Sequence, residues 1–174
     1  FRADRFLPKD IALHGVQAVR EEAHARFSAT YRTYRYYVTM RKNPFAEGRM
    51  LRLYFPMDFE RMNEAAQRLM DYEDFTSFSK LHTDVKTNNC RVLEAYWQRG
   101  SEEGTWIFTI TADRFLRNMV RAIVGTLFAV GKSRLSVEDF AAIIAAKDRA
   151  LAGASAPAHA LYLEAVGYPE ELYL

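Results

Sequence analysis

The sequence contains almost no cysteine, no long apolar run and no group of residues spaced like metal ligands. Its single cysteine, Cys90, cannot form a disulfide within the chain, so we expect a reducing compartment, the cytoplasm. No apolar run approaches the ~18 residues that a membrane span needs. The four histidines and Cys90 lack the spacing of metal ligands. We therefore expect neither a membrane span nor a metal site.

Net charge is also small, at +2, yet the charged side chains are segregated along the chain. Residues 28–52 carry six lysines and arginines against one acidic residue, and residues 113–134 carry five against one. Residues 53–79 and 135–174 each carry two basic and six acidic side chains. Two basic blocks in a near-neutral chain indicate a local surface that binds anions. Chance clustering of solvated side chains is the alternative interpretation.

Length and composition indicate a globular protein, because 174 residues, of which 49% are hydrophobic, suffice for one sizeable core. Sequence periodicity predicts strands over residues 31–41, 91–99, 105–112 and 160–166, and helices that begin at Asp58, Asp113 and Ser136. This element order is that of ferredoxin-like split β-α-β folds. The predicted fold class is therefore α+β, with a mainly antiparallel sheet and helices on one face.

The predicted helix over residues 113–131 carries a stripe of arginines. At ~100° per residue, Arg114, Arg117, Asn118, Arg121 and Gly125 fall on one narrow face. Guanidinium groups hold phosphates or a buried carboxylate through paired hydrogen bonds, and the glycine would let another backbone come close. The alternative interpretation is the solvated face of an amphipathic helix.

The predicted strand over residues 31–41 alternates aromatic and basic side chains. Tyr34 and Tyr36 share one face, and Arg35 and Tyr37 lie on the other. Aromatic rings interleaved with arginine suit a stacked nucleobase. A core strand with tyrosine hydroxyls at its rim is the commoner arrangement of such residues.

Four sequence motifs stand out along the chain. They are Phe27–Tyr36, Asp74–Phe78, Phe115–Gly125, and Ala145–Arg149 followed by Ser155–Leu163. In their order and over most of residues 5–170, they resemble the motifs of the tRNA pseudouridine synthase A (TruA) family. The resemblance implies the C-terminal half of the pseudouridine synthase fold. It also implies isomerisation of uridine to pseudouridine in the anticodon stem-loop of tRNA, without cofactor or metal.

The resemblance also implies roles for individual residues. Tyr34 corresponds to the tyrosine that stacks on the target uracil, Arg121 to the arginine that pairs with the catalytic aspartate, and Leu161 to a wall of the uracil pocket. The expected partners are tRNA and a second copy of the chain in a homodimer. The basic side chains that we predict to contact RNA are Arg32, Arg35, Arg41, Lys42, Arg114 and Arg117.

The family's catalytic aspartate lies in an Arg-Thr-Asp-Ala-Gly-Val-His segment that is absent from this sequence. The nearest match, His82-Thr83-Asp84-Val85, lacks the glycine and follows the wrong strand, which argues against Asp84 as the nucleophile. Because the first residue is Phe1, we expect a fragment, with a linker over residues 1–27 and a C-terminal synthase domain over residues 28–174. We expect these residues alone to be inactive.

Two other functions remain open at this point. One is a non-catalytic module of the same fold that binds RNA or mediates dimerisation. The other is a ferredoxin-like domain of small-molecule metabolism. The salt dependence of tRNA binding separates the metabolic domain from the synthase and from the RNA-binding module. Contacts to phosphates weaken steeply as salt rises, so weak binding that does not respond to salt would favour the metabolic domain.

Overall fold

A computed structural model describes residues 3–80 and 87–174 of the chain. Within these residues the predicted α+β class and the predicted order of long strands and helices are confirmed. The structure also contains a two-residue strand, not predicted from the sequence, that follows the first long strand. The elements are β1 Tyr31–Thr39, β2 Leu51–Arg52, α1 Phe59–Gln67, β3 Val92–Arg99, β4 Thr105–Ala112, α2 Met119–Gly131, α3 Val137–Ala146 and β5 Leu161–Gly167.

Strand β1 lies at the centre of the sheet. It pairs antiparallel with β4 along one edge and antiparallel with β5 along the first part of the other edge. Strand β3 pairs antiparallel with β4, so the long strands follow the order β5-β1-β4-β3. The short β2 runs parallel to the end of β1, with Leu51 opposite Val38. This order is that of a ferredoxin-like sheet, as the element order predicts.

The hydrophobic core lies between the sheet and the three helices. Tyr36 and Phe108, on neighbouring strands, are fully buried. Phe59 of α1 stacks on Trp106 with ring centroids 3.9 Å apart, and Phe128 of α2 meets Tyr36 edge-on. Helices therefore cover the sheet face that carries the alternating apolar side chains, because burying that face removes the most apolar surface from water.

Two of the three predicted helix starts are confirmed by their caps. The Asp58 side chain accepts a hydrogen bond from the Arg61 backbone N–H at 3.0 Å. Ser136 and Asp139 form the reciprocal capping box that their spacing predicts. The apolar spacing of this helix extends in the sequence to Leu69 and Met70, but Met70 is 46% exposed because the chain tightens into a 3-10 turn after α1.

The predicted start of α2 at Asp113 is wrong. The helix begins at Met119, after Asn118 adopts a left-handed conformation with φ of 69°. The Asp113 carboxylate instead accepts a hydrogen bond from the Arg91 backbone N–H at 2.8 Å, which ties the end of β4 to the start of β3. Arg114 and Arg117 therefore precede the helix, and of the predicted arginines only Arg121 lies on it.

The chain forms two compact units. One consists of Thr30–Gly167 and contains the sheet and the helices. The other combines the described part of Phe1–Ala29 with Tyr168–Leu174, where the Arg20 N–H donates to the Leu172 carbonyl at 3.0 Å. The division into residues 1–27 and 28–174 stays a prediction. None of the helices in the described ranges is long and apolar enough to cross a membrane.

Candidate functional site, a cation-lined cavity at the start of α2

A cavity of about 830 Å³ lies where the N-terminal end of α2 meets β1 and β5, within the size range of ligand pockets. Among residues 3–80 and 87–174, four of its lining side chains are cationic and none is a carboxylate. The N-terminal end of a helix adds partial positive charge from its unpaired N–H groups. The lining residues are Tyr34, Lys80, Phe115, Leu116, Arg117, Asn118, Met119, Val120, Arg121, Arg149, Ser155 and Leu161.

The predicted catalytic residues Tyr34, Arg121 and Leu161 all line this cavity. Tyr34 comes from β1 and Leu161 from β5, which pair antiparallel so that Leu161 lies opposite Tyr36. Alternation along β1 puts Tyr34 and Tyr36 on the same face, the one that the helices cover. The Tyr34 ring meets Phe115 edge-on with centroids 5.1 Å apart, and both side chains are half-buried.

Arg121 is held in place by two hydrogen bonds with the backbone of Ala156, one from its side chain and one to its own carbonyl. Its guanidinium Nε donates to the Ala156 carbonyl at 2.6 Å, and its own carbonyl accepts from the Ala156 N–H at 2.9 Å. In the described ranges, no carboxylate lies within ion-pair distance of Arg121. Because only Nε is used by that carbonyl, the two terminal amino groups of the guanidinium remain as donors for a ligand in the cavity that Arg121 lines.

The segment that carries Ala156 packs directly on α2 because two glycines allow it. A Cβ at Gly125 would overlap the Ala154 carbonyl oxygen and would lie 3.2 Å from the Ala156 nitrogen. A Cβ at Gly153 would in turn press on the backbone of α2 at Gly125. The Gly153 N–H also donates to the Thr126 hydroxyl at 3.0 Å, so this stretch is fixed along the helix.

Tyr36 supports the same segment from beneath. Its hydroxyl donates to the Pro157 carbonyl at 2.9 Å. Burial raises the pKa of Tyr36 above its ordinary value, and the nearby charge of Arg121 opposes that rise. The phenol therefore stays neutral at physiological pH and keeps the proton that it donates.

Ser155 links two further groups at the cavity. Asn118 Nδ2 donates to the Ser155 hydroxyl at 2.6 Å, and Arg149 Nη2 lies 3.3 Å from the same oxygen. Arg149 Nη1 also reaches the Ala152 and Gly153 carbonyls, at 3.4 and 3.3 Å. Arg149 therefore contributes a positive charge to the cavity, and its hydrogen bonds fix the backbone of the residues that precede Ser155.

Lys80 and Arg149 are cavity cations that sequence reasoning missed. A signal for both exists in the sequence. Arg149 ends one of the segments that carry the family resemblance, and Lys80 follows two residues after another. Neither lies in one of the two basic blocks, and this is why charge clustering alone overlooks them.

The side chains predicted to contact RNA are dispersed. Arg117 lines the cavity beside Arg121, whereas Arg114 lies close enough to Cys90 for its charge to influence that thiol. Arg35, on the sheet face opposite Tyr34, pairs with Glu164 at 2.8 Å. Arg32 donates to the Asp113 carbonyl at 2.7 Å, Arg41 pairs with Glu103, and Lys42 is exposed next to Arg41.

Asp84 lies outside the described residues. Among residues 3–80 and 87–174, no group of three or more histidine, cysteine, aspartate or glutamate side chains is arranged to hold a metal ion. The charges at the cavity are therefore those of its own arginines and lysine, which suit an anionic ligand such as a phosphate or an unpaired carboxylate.

Comparison with known proteins identifies the same family along most of the chain. A family model described as tRNA pseudouridine synthase matches residues 65–169. A tRNA pseudouridine synthase A of Porphyromonas gingivalis is 62% identical over 173 residues, which cover 99% of this chain and 69% of the relative. Its counterpart from Bacteroides fragilis is 56% identical over 172 residues, covering 99% and 68%. The Bacillus velezensis protein of the same name is 38% identical over 170 residues, covering 97% and 68%.

Proposed function

This chain belongs to the tRNA pseudouridine synthase family, and on that premise we propose that its cation-lined cavity holds the target uridine of a tRNA during isomerisation to pseudouridine. Tyr34 stacks on the uracil, Leu161 forms a wall of the pocket, and Arg121 pairs with the nucleophilic aspartate. The convergence of these three side chains on one cavity, whose described lining residues carry four cations, is the observation that carries the proposal.

The reaction explains why such a cavity needs cations. Isomerisation breaks the bond between C1′ and N1 of uridine and forms a bond from C1′ to C5, with no change in oxidation state. A base must leave its stack to reach the pocket, and the phosphates on either side of it must be held. Lys80, Arg117 and Arg149 lie where those phosphates would be neutralised.

The described lining residues do not supply the nucleophilic carboxylate. Arg121 cannot lose its proton in a protein, so a partly buried guanidinium gains from an anionic partner. Its Nε is already taken by Ala156, which orients the remaining amino groups for a carboxylate that approaches across the cavity. The family segment Arg-Thr-Asp-Ala-Gly-Val-His is the expected source of that carboxylate.

A chimera tests this proposal. The chain would replace its matching 173 residues in the 62% identical relative, whose remaining part would supply the aspartate segment. We expect the chimera to form pseudouridine in unmodified tRNA. Arg121→Met should abolish the reaction, and Tyr34→Leu should reduce it strongly. Arg68→Ala is the control, because Arg68 lies in an acid-lined cavity elsewhere and should leave the activity unchanged. A chimera that keeps full activity with Arg121→Met contradicts the proposal.

The 174 residues by themselves should bind tRNA without modifying it, because the described residues that line the cavity include no carboxylate and the family's aspartate segment is absent from the sequence. Pseudouridine is assayed after incubation with unmodified tRNA, and binding is measured over a range of salt concentrations. Affinity should fall steeply as salt rises, since phosphate contacts release counterions. Turnover that disappears with Asp84→Asn would contradict the assignment of the nucleophile to another segment.

The family resemblance supports three finer features of the proposed function. They are action on the anticodon stem-loop, assembly as a homodimer and a cytoplasmic location. Mapping the modified positions in tRNA tests the first. Sedimentation equilibrium tests the second and fractionation of cells the third.

A further inference from the structure

A second cavity, of about 510 Å³, lies along the C-terminal part of α2. Its walls come from the segment that follows β2, from the exposed side of α2, and from residues 153–157. Arg52, Lys132 and Arg134 line it, and none of its lining residues in the described ranges is a carboxylate. In the described part of the chain, none of these three cations has a carboxylate within ion-pair distance. The proposed role of the first cavity makes no use of these residues.

Two aromatic rings stand exposed at this second cavity. Tyr54 is 73% exposed and Phe55 is 64% exposed, although large apolar surface is usually buried. Each ring has a cation beside it. The Arg52 guanidinium lies 4.8 Å from the Tyr54 ring centroid, and the Lys132 ammonium lies 5.8 Å from that of Phe55. Exposed aromatic rings next to unpaired cations are the arrangement by which proteins hold single-stranded nucleic acid.

The second cavity continues from the first. Ser155 lines both, and the segment around it is the wall between them. Arg121 faces the first cavity and Lys132 the second, on one helix, so they are separated by about 16 Å along its axis at 1.5 Å per residue. One nucleotide cannot occupy both cavities, whereas one strand that crosses the Ser155 wall can.

We propose that the second cavity binds another nucleotide of the same tRNA, with its base stacked on Tyr54 or Phe55 and its phosphate beside Lys132 and Arg134. This inference rests on the proposed function of the first cavity. Stacking tolerates any base, so the second cavity contributes affinity and holds the strand in register without reading sequence. The target uridine is then positioned from both sides of the Ser155 wall.

Removing the aromatic rings tests the stacking. The double variant Tyr54→Leu with Phe55→Leu keeps apolar bulk and removes both ring faces. We expect it to bind tRNA about ten-fold more weakly, with an unchanged dependence of affinity on salt. Phe45→Leu is the matched control, because Phe45 is 83% exposed at a cavity that contains Glu102 and Glu164, and it should bind as the wild type does.

Removing the cations tests the phosphate contact. Lys132→Ala with Arg134→Ala should lower the slope of log affinity against log salt by about two, since each lost phosphate contact lowers it by about one. Arg68→Ala, at an acid-lined cavity, should leave that slope unchanged. An unchanged slope of log affinity against log salt in this double variant would overturn the proposal. The unfolding temperature is measured alongside, because a loss of affinity that comes only from poorer folding lowers that temperature and leaves the slope unchanged.

Photo-cross-linking of the unaltered chain provides a readout that needs no substitution. tRNA that carries 5-iodouridine is irradiated in the complex, and cross-linked peptides are identified by mass spectrometry. Cross-links at Tyr54 or Phe55 support the proposal. If tRNA binds and cross-links at Tyr34 while the leucine double variant binds normally, the second cavity is refuted and the first stands. If the chain shows no salt-dependent binding of tRNA, the proposals for the first and the second cavity are both refuted.

Discussion

Gly125→Ala should loosen the contact that orients Arg121. In the structure the backbone of Ala154 to Ala156 lies directly against α2, and an added Cβ would overlap the Ala154 carbonyl oxygen. Carbon atoms pack at about 3.5–4.0 Å, so this segment must retreat by roughly 1 Å or more. Such a movement takes both hydrogen bonds between Arg121 and Ala156, now 2.6 and 2.9 Å, beyond bonding distance.

The magnitude follows from the two bonds and from the helix itself. A hydrogen bond from a charged donor contributes about 1.5–3 kcal/mol, and a neutral backbone bond contributes about 0.5–1.5 kcal/mol. Alanine is favoured over glycine inside a helix by about 1 kcal/mol, which offsets part of the loss. We expect the free energy of unfolding to fall by about 1–3 kcal/mol.

Urea unfolding followed by circular dichroism measures the change as a lower midpoint at constant slope. Gly131→Ala, at the end of the same helix, is the control. A Cβ there meets the side chains of Met57 and Met62, which can move, rather than backbone. The loss at position 131 should therefore be smaller than the loss at position 125. Equal or greater stability of Gly125→Ala would refute the close packing of this segment on α2.

Two further predictions concern titrating groups. A hydrogen bond from the Thr76 hydroxyl, with help from Lys147, holds the pKa of Asp74 below its ordinary value, so its contribution to stability is present at neutral pH and is lost as pH falls through the depressed pKa. Asp74→Asn should thus destabilise the chain at pH 7. The urea midpoints of variant and wild type should converge as pH falls below the ordinary pKa of aspartate and through the lowered pKa of Asp74, whereas a constant difference would contradict this. Burial raises the pKa of Cys90 to about 11. Iodoacetamide should therefore label this thiol at pH 8 only after the chain unfolds. Rapid labelling of the folded chain would contradict the burial of Cys90.

Alternation predicts the long strands well, and cap spacing predicts the start of α3, because each signal depends on residues within a single element. The alternating residues of β1 and β4 indicate which side faces the core, and the Ser136 box marks the start of α3. Strand β2 has only two residues and pairs with the end of β1. Nothing in so short a stretch carries a periodic signal, which is why sequence reasoning passes over it.

The start of α2 is mispredicted for a tertiary reason. Asp113 has the chemistry of a helix cap, but the Arg91 N–H on the neighbouring strand takes its carboxylate. Asn118 then turns the chain through a left-handed conformation, which asparagine tolerates better than most residues. Of the predicted stripe, Arg117 and Arg121 line the cavity, whereas Arg114 is not among its lining residues in the described part of the chain.

The site residues are predictable where the family motifs mark them and unpredictable where pairing depends on partners distant in sequence. Tyr34, Arg121 and Leu161 come together as the motifs imply. Arg35 lies within such a motif, yet it forms an ion pair with Glu164 on β5. A count of charges along one segment does not show an acidic partner on another strand.

The central place of β1 in the sheet has a consequence for the timing of assembly. Tyr34 lies near the start of the Thr30–Gly167 unit and Leu161 near its end, so the wall they share is completed only when β5 docks. Contacts between such distant parts of a chain form slowly, and a ribosome must synthesise nearly the whole unit before β5 is available. A growing polypeptide therefore leaves the β1 edge that carries Tyr34 unpaired until β5 arrives, and the cavity that Tyr34 and Leu161 line cannot form before then.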